Sequence, residues 1–367
     1  MAEDVLALLS RITTVCEMTQ AFSDEDRCRR LVEAMVWPRG RICPACGYRR
    51  STSIPGRDWG KTKRPGLYQC SNGSCHHQFT VTTRTPLHST KLPLRLWLQG
   101  LWLILQSDKG LSSVRLGEAL GISQQAAWRM GHALRLLMTN EKPLEGIVEI
   151  DELRIGGRPH KPGGELGPGP GRGRRGQPKT TKTPVLALVQ RPSNGDIGSP
   201  AGLVKAAVVD DASAAETERV MNDAVAADSH LMSDEWSSFM AMGSNFAAHD
   251  TVRHSDREYA RGIVHVNSVE GFNARVRRTV AGVFHHISPR HADLYFTEIG
   301  FRWSQRVIVG KAVRRTRKGR EVVRTLWNRI TPARQLITLF ACAVRRQLRR
   351  TKNGSIAVKS TVAAFGR

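Results

Sequence analysis

Apolar residues at helical spacing dominate the first part of the chain. In residues 1–36 they recur three and four positions apart, which predicts one or two short helices within a helical leader, residues 1–40. Residues 91–138 are more strongly helical and include the longest apolar stretch, LPLRLWLQGLWLILQ (92–106). Arg95 and Gln99 interrupt this stretch, and it is shorter than the roughly 20 residues that a membrane span needs. We therefore expect no membrane association.

A different pattern begins at residue 146, where short runs of β-forming residues replace the helical spacing. Four such runs predict strands: GIVEIDELRIGG, TPVLALVQR, GLVKAAVVD and HLMSDEW. Between the first two lies segment 157–182, which is rich in Gly, Pro and Arg. That composition cannot bury a core, so a flexible basic loop is expected. The order of patterns predicts two small modules followed by an α/β domain.

Residues 109–138 have the outline of a helix-turn-helix. Ser112 and Ser123 are suited to be N-caps of two helices separated by Gly121. The start of the second helix would then direct three polar side chains outward, where contacts with bases or phosphates arise: Gln124, Gln125 and Arg129. Plain packing of two helices would produce the same pattern, so both interpretations stay open at this point.

The charge balance indicates a polyanionic partner. The 367 residues contain 56 Lys and Arg against 32 Asp and Glu, a formal net charge of +24. Residues 302–367 alone hold 18 Lys and Arg and one acid, Glu321. Nucleic acid is the partner that such a balance favours, and a membrane surface is not. No secretory signal opens the sequence, so we expect a cytoplasmic protein.

Four of the seven cysteines form two close pairs. Cys43 and Cys46 lie in RICPACGYRR, and Cys70 and Cys75 lie in YQCSNGSCHHQF. Two such pairs on glycine-containing turns can enclose a structural Zn²⁺ with four thiolates. The second spacing is longer than usual, so His76 or His77 could replace Cys75 as the ligand. Nearby basic residues fit contact with nucleic acid: Arg49, Arg50, Lys61, Lys63 and Arg64.

Several acids could hold catalytic Mg²⁺ or Mn²⁺, which prefer oxygen ligands. Asp151 lies within a predicted strand, but alternation places Glu149 on the same face, and the pattern does not decide between them. Asp234 ends another apolar run.

The segment HVNSVEGFNARVRR (265–278) offers two further candidates, Asn267 and Glu270. Asn267 followed three residues later by Glu270 is also the pattern of a capping box, in which both side chains would serve the helix backbone. A carboxylate binds Mg²⁺ better than an amide does, which favours Glu270.

Six segments together resemble the zinc-ribbon DDE transposases of bacterial insertion sequences, specifically insertion-sequence family 1595. The resemblance runs from about residue 40 to residue 306. The segments are CPACG, YQCSNGSCHHQFTVTTRTPLHSTKLPLRLW, GISQQAAWRM, VEIDELRIGG, SDEWSSF and HVNSVEGFNARVRRTVAGVFHHISPRHADLYFTEIGFRWSQR.

The resemblance implies a zinc ribbon (41–88) and a helix-turn-helix (89–140) that bind double-stranded DNA at terminal inverted repeats. It also implies an RNase H-like catalytic domain (145–306), a mixed sheet flanked by helices that contains the basic insert 157–182. In that fold the first acid matches Asp151, the second matches Asp234, and the third is an Asn in some groups and a Glu in others. A basic residue seven positions after the Glu contacts DNA, which matches Arg277, next to Arg278. The basic tail, 307–367, matches nothing in the family, and two interpretations of it stay open: an added DNA clamp, or frame-shifted sequence from a decaying element.

The expected activity is metal-dependent cleavage of DNA followed by strand transfer, in a dimer or larger assembly that pairs two ends. Two alternatives remain. One is a DNA-binding regulator whose catalytic domain is inactive, and the other is an RNase H-like nuclease that ignores terminal repeats.

Overall fold

The computed structural model describes residues 2–54, 65–156, 182–209, 214–235, 245–256, 258–315, 319, 321–344, 346–350 and 356–360. The predicted insert 157–182 lies outside these residues apart from Lys182, and so do Lys61, Lys63 and Arg64. The chain divides into two compact units. The first comprises Met1–Thr139 and Arg329–Arg367, and the second comprises Asn140–Asn328.

The helices of the first unit include three in the leader, where the sequence predicted one or two. Their bounds are α1 (Ala2–Ser10), α2 (Val15–Ala21), α3 (Glu25–Val36), α4 (Leu94–Gln106), α5 (Ser113–Leu120) and α6 (Gln124–Leu137). A further helix, α10 (Pro332–Ala341), packs against α1, α3 and α4. None of the helices in the described part of the chain is long and apolar enough to cross a bilayer.

A three-stranded antiparallel sheet follows α3 in sequence. It consists of β1 (Ser51–Ser53), β2 (Tyr68–Cys70) and β3 (Gln78–Phe79). Tyr68 and Phe79 are buried against Trp37, with ring centroids 5.8 and 5.9 Å from the Trp37 ring. With Val81 and Leu87 these rings form a small apolar core, so a module of this size needs additional stabilisation.

The second unit is built on a five-stranded sheet in the order β6-β5-β4-β7-β8. The strands are β4 (Ile147–Ile155), β5 (Thr183–Gln190), β6 (Val204–Val208), β7 (His230–Asp234) and β8 (Ala248–Val252). β4 pairs antiparallel with β5 and parallel with β7, so the sheet is mixed, and the four strands expected from the sequence are confirmed. Two short strands follow, β9 (Ala260–Arg261) and β10 (Val264–His265).

Helices cover both faces of this sheet. On one face, α7 (Ala214–Ala224) packs against a core that includes Val148 and Ile150 of β4. On the other face, α8 (Asn267–Thr279) and α9 (Pro289–Ser304) pack against a core that includes Leu153 of β4. Because side chains alternate along a strand, Glu149 and Asp151 share the face of Leu153, towards α8.

The segment that the sequence predicted as one basic tail, 307–367, contributes to both units. β11 (Arg306–Arg315) and β12 (Glu321–Arg329) form a two-stranded sheet, and all of it except Arg329 belongs to the second unit. α10 and a second pair of strands, β13 (Arg346–Arg350) and β14 (Ile356–Ser360), belong to the first.

Candidate functional site

The sheet register brings Asp151 and Asp234 to the same level on neighbouring strands. β4 and β7 run parallel, and Glu149 is paired with Met232. Extending this register by two positions places Asp151 opposite Asp234, and strand alternation puts both side chains on the face that α8 covers. The charge of Asp234 acts directly on Asp151 and raises its pKa. The two acids that the sequence singled out therefore share one site.

Burial and charge together hold the pKa of Asp151 at about 6, well above its ordinary value of 3.8. Burial is the largest cause, and the negative charge of Asp234 is the second. Glu270 on α8 raises the pKa further by its own charge, so Asp234 and Glu270 are both within electrostatic reach of Asp151. A bound cation would reverse these effects and favour the ionised carboxylate.

Asn273, which sequence reasoning missed, holds the Asp151 carboxylate in place. Its Nδ2 donates to Asp151 Oδ2 at 2.7 Å, and this hydrogen bond lowers the pKa of Asp151 against the other influences. Asn273 lies one helical turn after Glu270 and is almost completely buried. Its Oδ1 is buried as well and accepts no hydrogen bond within the described part of the chain. The amide that contacts Asp151 thus also carries a buried acceptor oxygen.

Glu149 has a different role from Asp151, Asp234 and Glu270, although it shares a strand face with Asp151. It is completely buried, and its Oε2 accepts hydrogen bonds from the backbone N–H groups of Ser268 (2.7 Å) and Val269 (2.9 Å). Glu149 therefore caps the first turn of α8 from a neighbouring strand. A carboxylate at a helix N-terminus also interacts favourably with the helix dipole.

Arg191 compensates the buried charge of Glu149. Its Nε donates to Glu149 Oε1 at 2.5 Å, while its Nη1 donates to the carbonyl of Ile263 and its Nη2 to the carbonyl of His265. The ring nitrogen Nδ1 of His265 lies 3.3 Å from Glu149 Oε1. Burial, followed by the charge of Arg191, lowers the pKa of His265. This network fixes the chain segment that leads into α8.

The capping box considered for Asn267 and Glu270 does not form. Val266 is the N-cap residue of α8 and makes no side-chain cap, and Asn267 is the first residue of the helix. Both side chains are exposed, and Glu149 serves the backbone amides instead. Glu270, Asn273 and Arg277 follow one another at spacings of three and four, so they form one stripe along α8. Arg277 and Arg278 are exposed in its last turn.

The neighbouring acids have other partners. Glu152, on the opposite face of β4, is paired with Arg154 at 2.8 Å. Glu235, next to Asp234, accepts from the Ser255 N–H at 3.0 Å and from its hydroxyl at 2.7 Å. Glu152 and Glu235 are therefore engaged with these partners, although they stand beside Asp151 and Asp234 in sequence.

The four cysteines of the N-terminal module converge. The Sγ atoms of Cys43, Cys46, Cys70 and Cys75 all lie within 4.8 Å of one another, and they are the sole group of three or more potential ligands that meets this limit in the described ranges. The Cys43–Cys75 and Cys46–Cys70 sulfur distances are 4.0 and 3.6 Å. Thiolates at about 2.3 Å from a tetrahedral zinc would be about 3.8 Å apart, so the four sulfurs fit this metal.

The second cysteine turn accommodates its longer spacing through Asn72. Asn72 Oδ1 accepts hydrogen bonds from the N–H and the hydroxyl of Ser74, and Cys75 N–H donates to the Asn72 carbonyl. This local turn brings Cys75 to the other sulfurs. His76 and His77, the alternatives considered from the sequence, do not belong to the ligand group.

The two helices expected between residues 109 and 138 are present with the predicted caps. Ser112 accepts from the Arg115 N–H, Ser123 accepts from the Ala126 N–H, and Gly121 ends α5 in a left-handed conformation, φ 64°. The predicted DNA-contacting residues Gln124, Gln125 and Arg129 are exposed on the first turns of α6. Gln124 donates to the Ser113 hydroxyl at 2.8 Å.

Comparisons with known proteins agree with this arrangement. Residues 143–304 match the model of an ISXO2-like transposase domain of insertion-sequence family 1595, and residues 23–78 match the transposase zinc-ribbon domain of the same family. The ribbon match begins before residue 41 and thus includes α3. A relative from Halobacterium salinarum, an uncharacterized protein in transposable element ISH50, is 26% identical over 269 residues, which cover 71% of this chain and 84% of the relative. Because the two domain models together match more than half of the chain, it belongs to the zinc-ribbon transposases of insertion-sequence family 1595.

Proposed function

We propose that this protein is the DNA transposase of an insertion sequence, which binds terminal inverted repeats and catalyses metal-dependent DNA cleavage and strand transfer. The observation that carries the proposal is the placement of Asp151 and Asp234 side by side on parallel strands, with Glu270 acting on Asp151 from α8. Acids on the first and fourth strands of a mixed sheet also support assigning the second unit to the RNase H-like fold.

The donor set fits Mg²⁺ or Mn²⁺, because carboxylate and amide oxygens are the ligands that these ions prefer. Asp151, Asp234 and Glu270 would hold the metal, and the buried Oδ1 of Asn273 is a further oxygen beside them. When bound, divalent metal supplies activation of the attacking oxygen and stabilisation of the leaving oxygen in phosphodiester chemistry.

Glu270 is our choice for the third ligand, ahead of Asn267. Its charge raises the pKa of Asp151. Glu270 also lies on the same stripe of α8 as Asn273, which touches Asp151 directly. Asn267 is one turn away at the start of the helix and could line the edge of the site.

DNA binding would be shared between the two units. Exposed Arg277 and Arg278 on α8 are placed to hold phosphate groups next to the acids. In the first unit, α5 and α6 would act as a helix-turn-helix in which Gln124, Gln125 and Arg129 contact the terminal repeats. Bound zinc would stabilise the small module that contains the four cysteines. Because two ends have to be paired, we expect a dimer or larger assembly in the bacterial cytoplasm, associated with the nucleoid.

The proposal is tested by an end-cleavage assay on a linear DNA fragment that carries the sequences flanking the reading frame. With Mg²⁺ the protein should nick at the element ends and leave 3′-hydroxyl groups, and Asp151→Asn and Asp234→Asn should each abolish nicking. Specific binding without cleavage would support an inactive or domesticated regulator instead. Cleavage that ignores the terminal sequence would support an RNase H-like nuclease.

A further inference from the structure

The β11–β12 hairpin is attached to the second unit by the first residues of β11, Arg306 to Ile308, which we call the root of the hairpin. The carbonyl of Arg306 accepts from the Ala201 N–H at 2.8 Å, and Ile308 exchanges two hydrogen bonds with Ser199 and Gly198, at 2.9 and 2.7 Å. These bonds pair the root with residues 198–201 of the second unit. The position of the hairpin relative to the acid site is therefore fixed by backbone contacts.

The root is linked through Trp303 of α9 to α8, the helix that carries Glu270. The guanidinium of Arg306 lies 4.2 Å from the ring of Trp303 and 4.8 Å from the ring of Trp327. Trp303 in turn meets Phe272 of α8 edge-on, with ring centroids 5.8 Å apart. Burial and the nearby charge of Arg275 lower the pKa of Arg306 to about 10, which shows that the two cations are neighbours. A basic surface thus continues from α8 into the hairpin root.

Beyond the root, the hairpin is strongly basic and exposed. The described residues of its outer part present four exposed cations against one exposed acid, Glu321. The cations are Lys311, Arg314, Arg315 and Arg324. The hairpin also exposes a concentration of large apolar side chains, namely Val309, Val313, Val322, Val323 and Leu326. An isolated two-stranded hairpin with such a surface is marginally stable, so a partner is expected to cover it.

We propose that the β11–β12 hairpin, residues 306–315 and 321–329, is an arm that binds double-stranded DNA next to the acid site. This inference rests on the proposed function, because it extends the DNA surface that begins at Arg277 and Arg278. From Val309 to Arg315 the strand extends about 20 Å at about 3.3 Å per residue, and a two-stranded ribbon fits the roughly 12 Å wide major groove. The cations would meet phosphates, and the exposed valines would meet apolar base edges such as thymine methyl groups.

A second copy of the chain fits this surface less well. Two identical arms placed together would bring like charges into contact, which opposes strand pairing. The polyanionic duplex complements the same charges, and the arm is continuous with the basic end of α8. The physical balance therefore favours DNA as the occupant.

The test compares the full-length protein with two triple variants that each remove three positive charges. The arm variant carries Lys311→Gln, Arg314→Gln and Arg315→Gln, and the matched control carries Arg11→Gln, Lys142→Gln and Arg219→Gln at exposed positions elsewhere. Binding to a short duplex of arbitrary sequence is measured by fluorescence anisotropy over a series of salt concentrations. Sedimentation velocity on the same samples gives the oligomeric state.

The arm variant should lose at least about tenfold in affinity, and the slope of log K against log salt should flatten by about 2 to 3, since each phosphate contact contributes about 0.9. The control should keep the slope of the original protein. If the original protein binds DNA and the arm variant binds with unchanged affinity and slope, the arm proposal fails while the proposed function stands. Unchanged DNA binding with a reduced oligomer would show that a second copy occupies the hairpin, which also overturns it. If the original protein binds no duplex, the proposed function and the arm fail together.

Discussion

Glu149 caps the helix that carries Glu270, because its Oε2 accepts the backbone N–H of Val269 at 2.9 Å. Glu149 stands two residues before Asp151 on β4, and Val269 stands one residue before Glu270 on α8. Together with the bond from the Ser268 N–H, this hydrogen bond ties the start of α8 to β4, on which Asp151 lies. The positions of the ligands in such a site depend on residues like Glu149, which hold the ligand-bearing elements in place but contact neither metal nor DNA.

Replacing Glu149 should destabilise the protein more than replacing any exposed acid. Glu149→Ala leaves the half-buried Arg191 guanidinium without its carboxylate partner and two backbone N–H groups without an acceptor, which costs about 3–5 kcal/mol. Glu149→Gln keeps an acceptor oxygen and should cost less. The free energy of unfolding is measured by urea denaturation, with Asp228→Ala as the exposed control. Equal stability of Glu149→Ala and the control would show that the cap contributes nothing.

Because its pKa is raised, Asp151 contributes less to the stability of the metal-free protein at neutral pH than in mild acid. A carboxyl whose pKa is higher in the folded state contributes stability that is complete below its unfolded pKa, near 3.8, and is lost as pH rises through about 6. Asp151→Asn removes this loss, so at pH 8 the variant should be more stable by up to about 3 kcal/mol, from two pKa units at 1.36 kcal/mol each. Near pH 4 the difference should disappear.

Thermal unfolding in magnesium-free buffer at several pH values measures this effect. The exposed Asp228→Asn is the matched control and should follow the original protein at every pH. A variant Asp151→Asn that is less stable than the original at pH 8 would contradict the electrostatic account of the site.

Loss of the Asn273 amide should shift the pH dependence of cleavage. Asn273 Nδ2 stabilises the ionised form of Asp151, so Asn273→Ala should raise the pKa of Asp151 further. A hydrogen bond to a charged group is worth about 1.5–3 kcal/mol, which corresponds to a shift of about one unit or more in the acid limb of the rate profile. The profile of kcat against pH is recorded with Asn222→Ala, an exposed position on α7, as control. An acid limb that stays in place would assign Asn273 a packing role only.

Substitutions at Cys75 and His76 should show which of the two residues is the fourth zinc ligand. Cys75→Ser should lose bound zinc and unfold the ribbon, because one thiolate of a closed tetrahedral set is missing. His76→Ala should keep a full equivalent of zinc, since His76 lies outside the ligand group. Metal content is measured on purified protein by inductively coupled plasma mass spectrometry. Zinc retained by Cys75→Ser and lost from His76→Ala would move the fourth ligand to the histidine.

The strands, the paired cysteines and the two N-caps could be predicted from the sequence, because each depends on local patterns. The choice between Glu149 and Asp151 could not, since alternation gives both the same face and only the start of α8 distinguishes them. Arg191 and Asn273 were missed for the same reason, because their partners lie 42 and 122 positions away in sequence. Asn273 stands one turn after Glu270, and that spacing was the one local signal for it. The hairpin β11–β12 could not be predicted within the basic tail, because its charge concealed its alternation.

The central claim is that Asp151, Asp234 and Glu270 together hold the catalytic metal, and the assignment of the third ligand exposes it most directly. The measurement is the rate of Mg²⁺-dependent end cleavage by Glu270→Ala and by Asn267→Ala, at equal protein concentration on the same flanked fragment. We predict that Glu270→Ala abolishes cleavage while retaining DNA binding, and that Asn267→Ala only slows it. Full cleavage by Glu270→Ala, with cleavage lost in Asn267→Ala, would contradict the assignment.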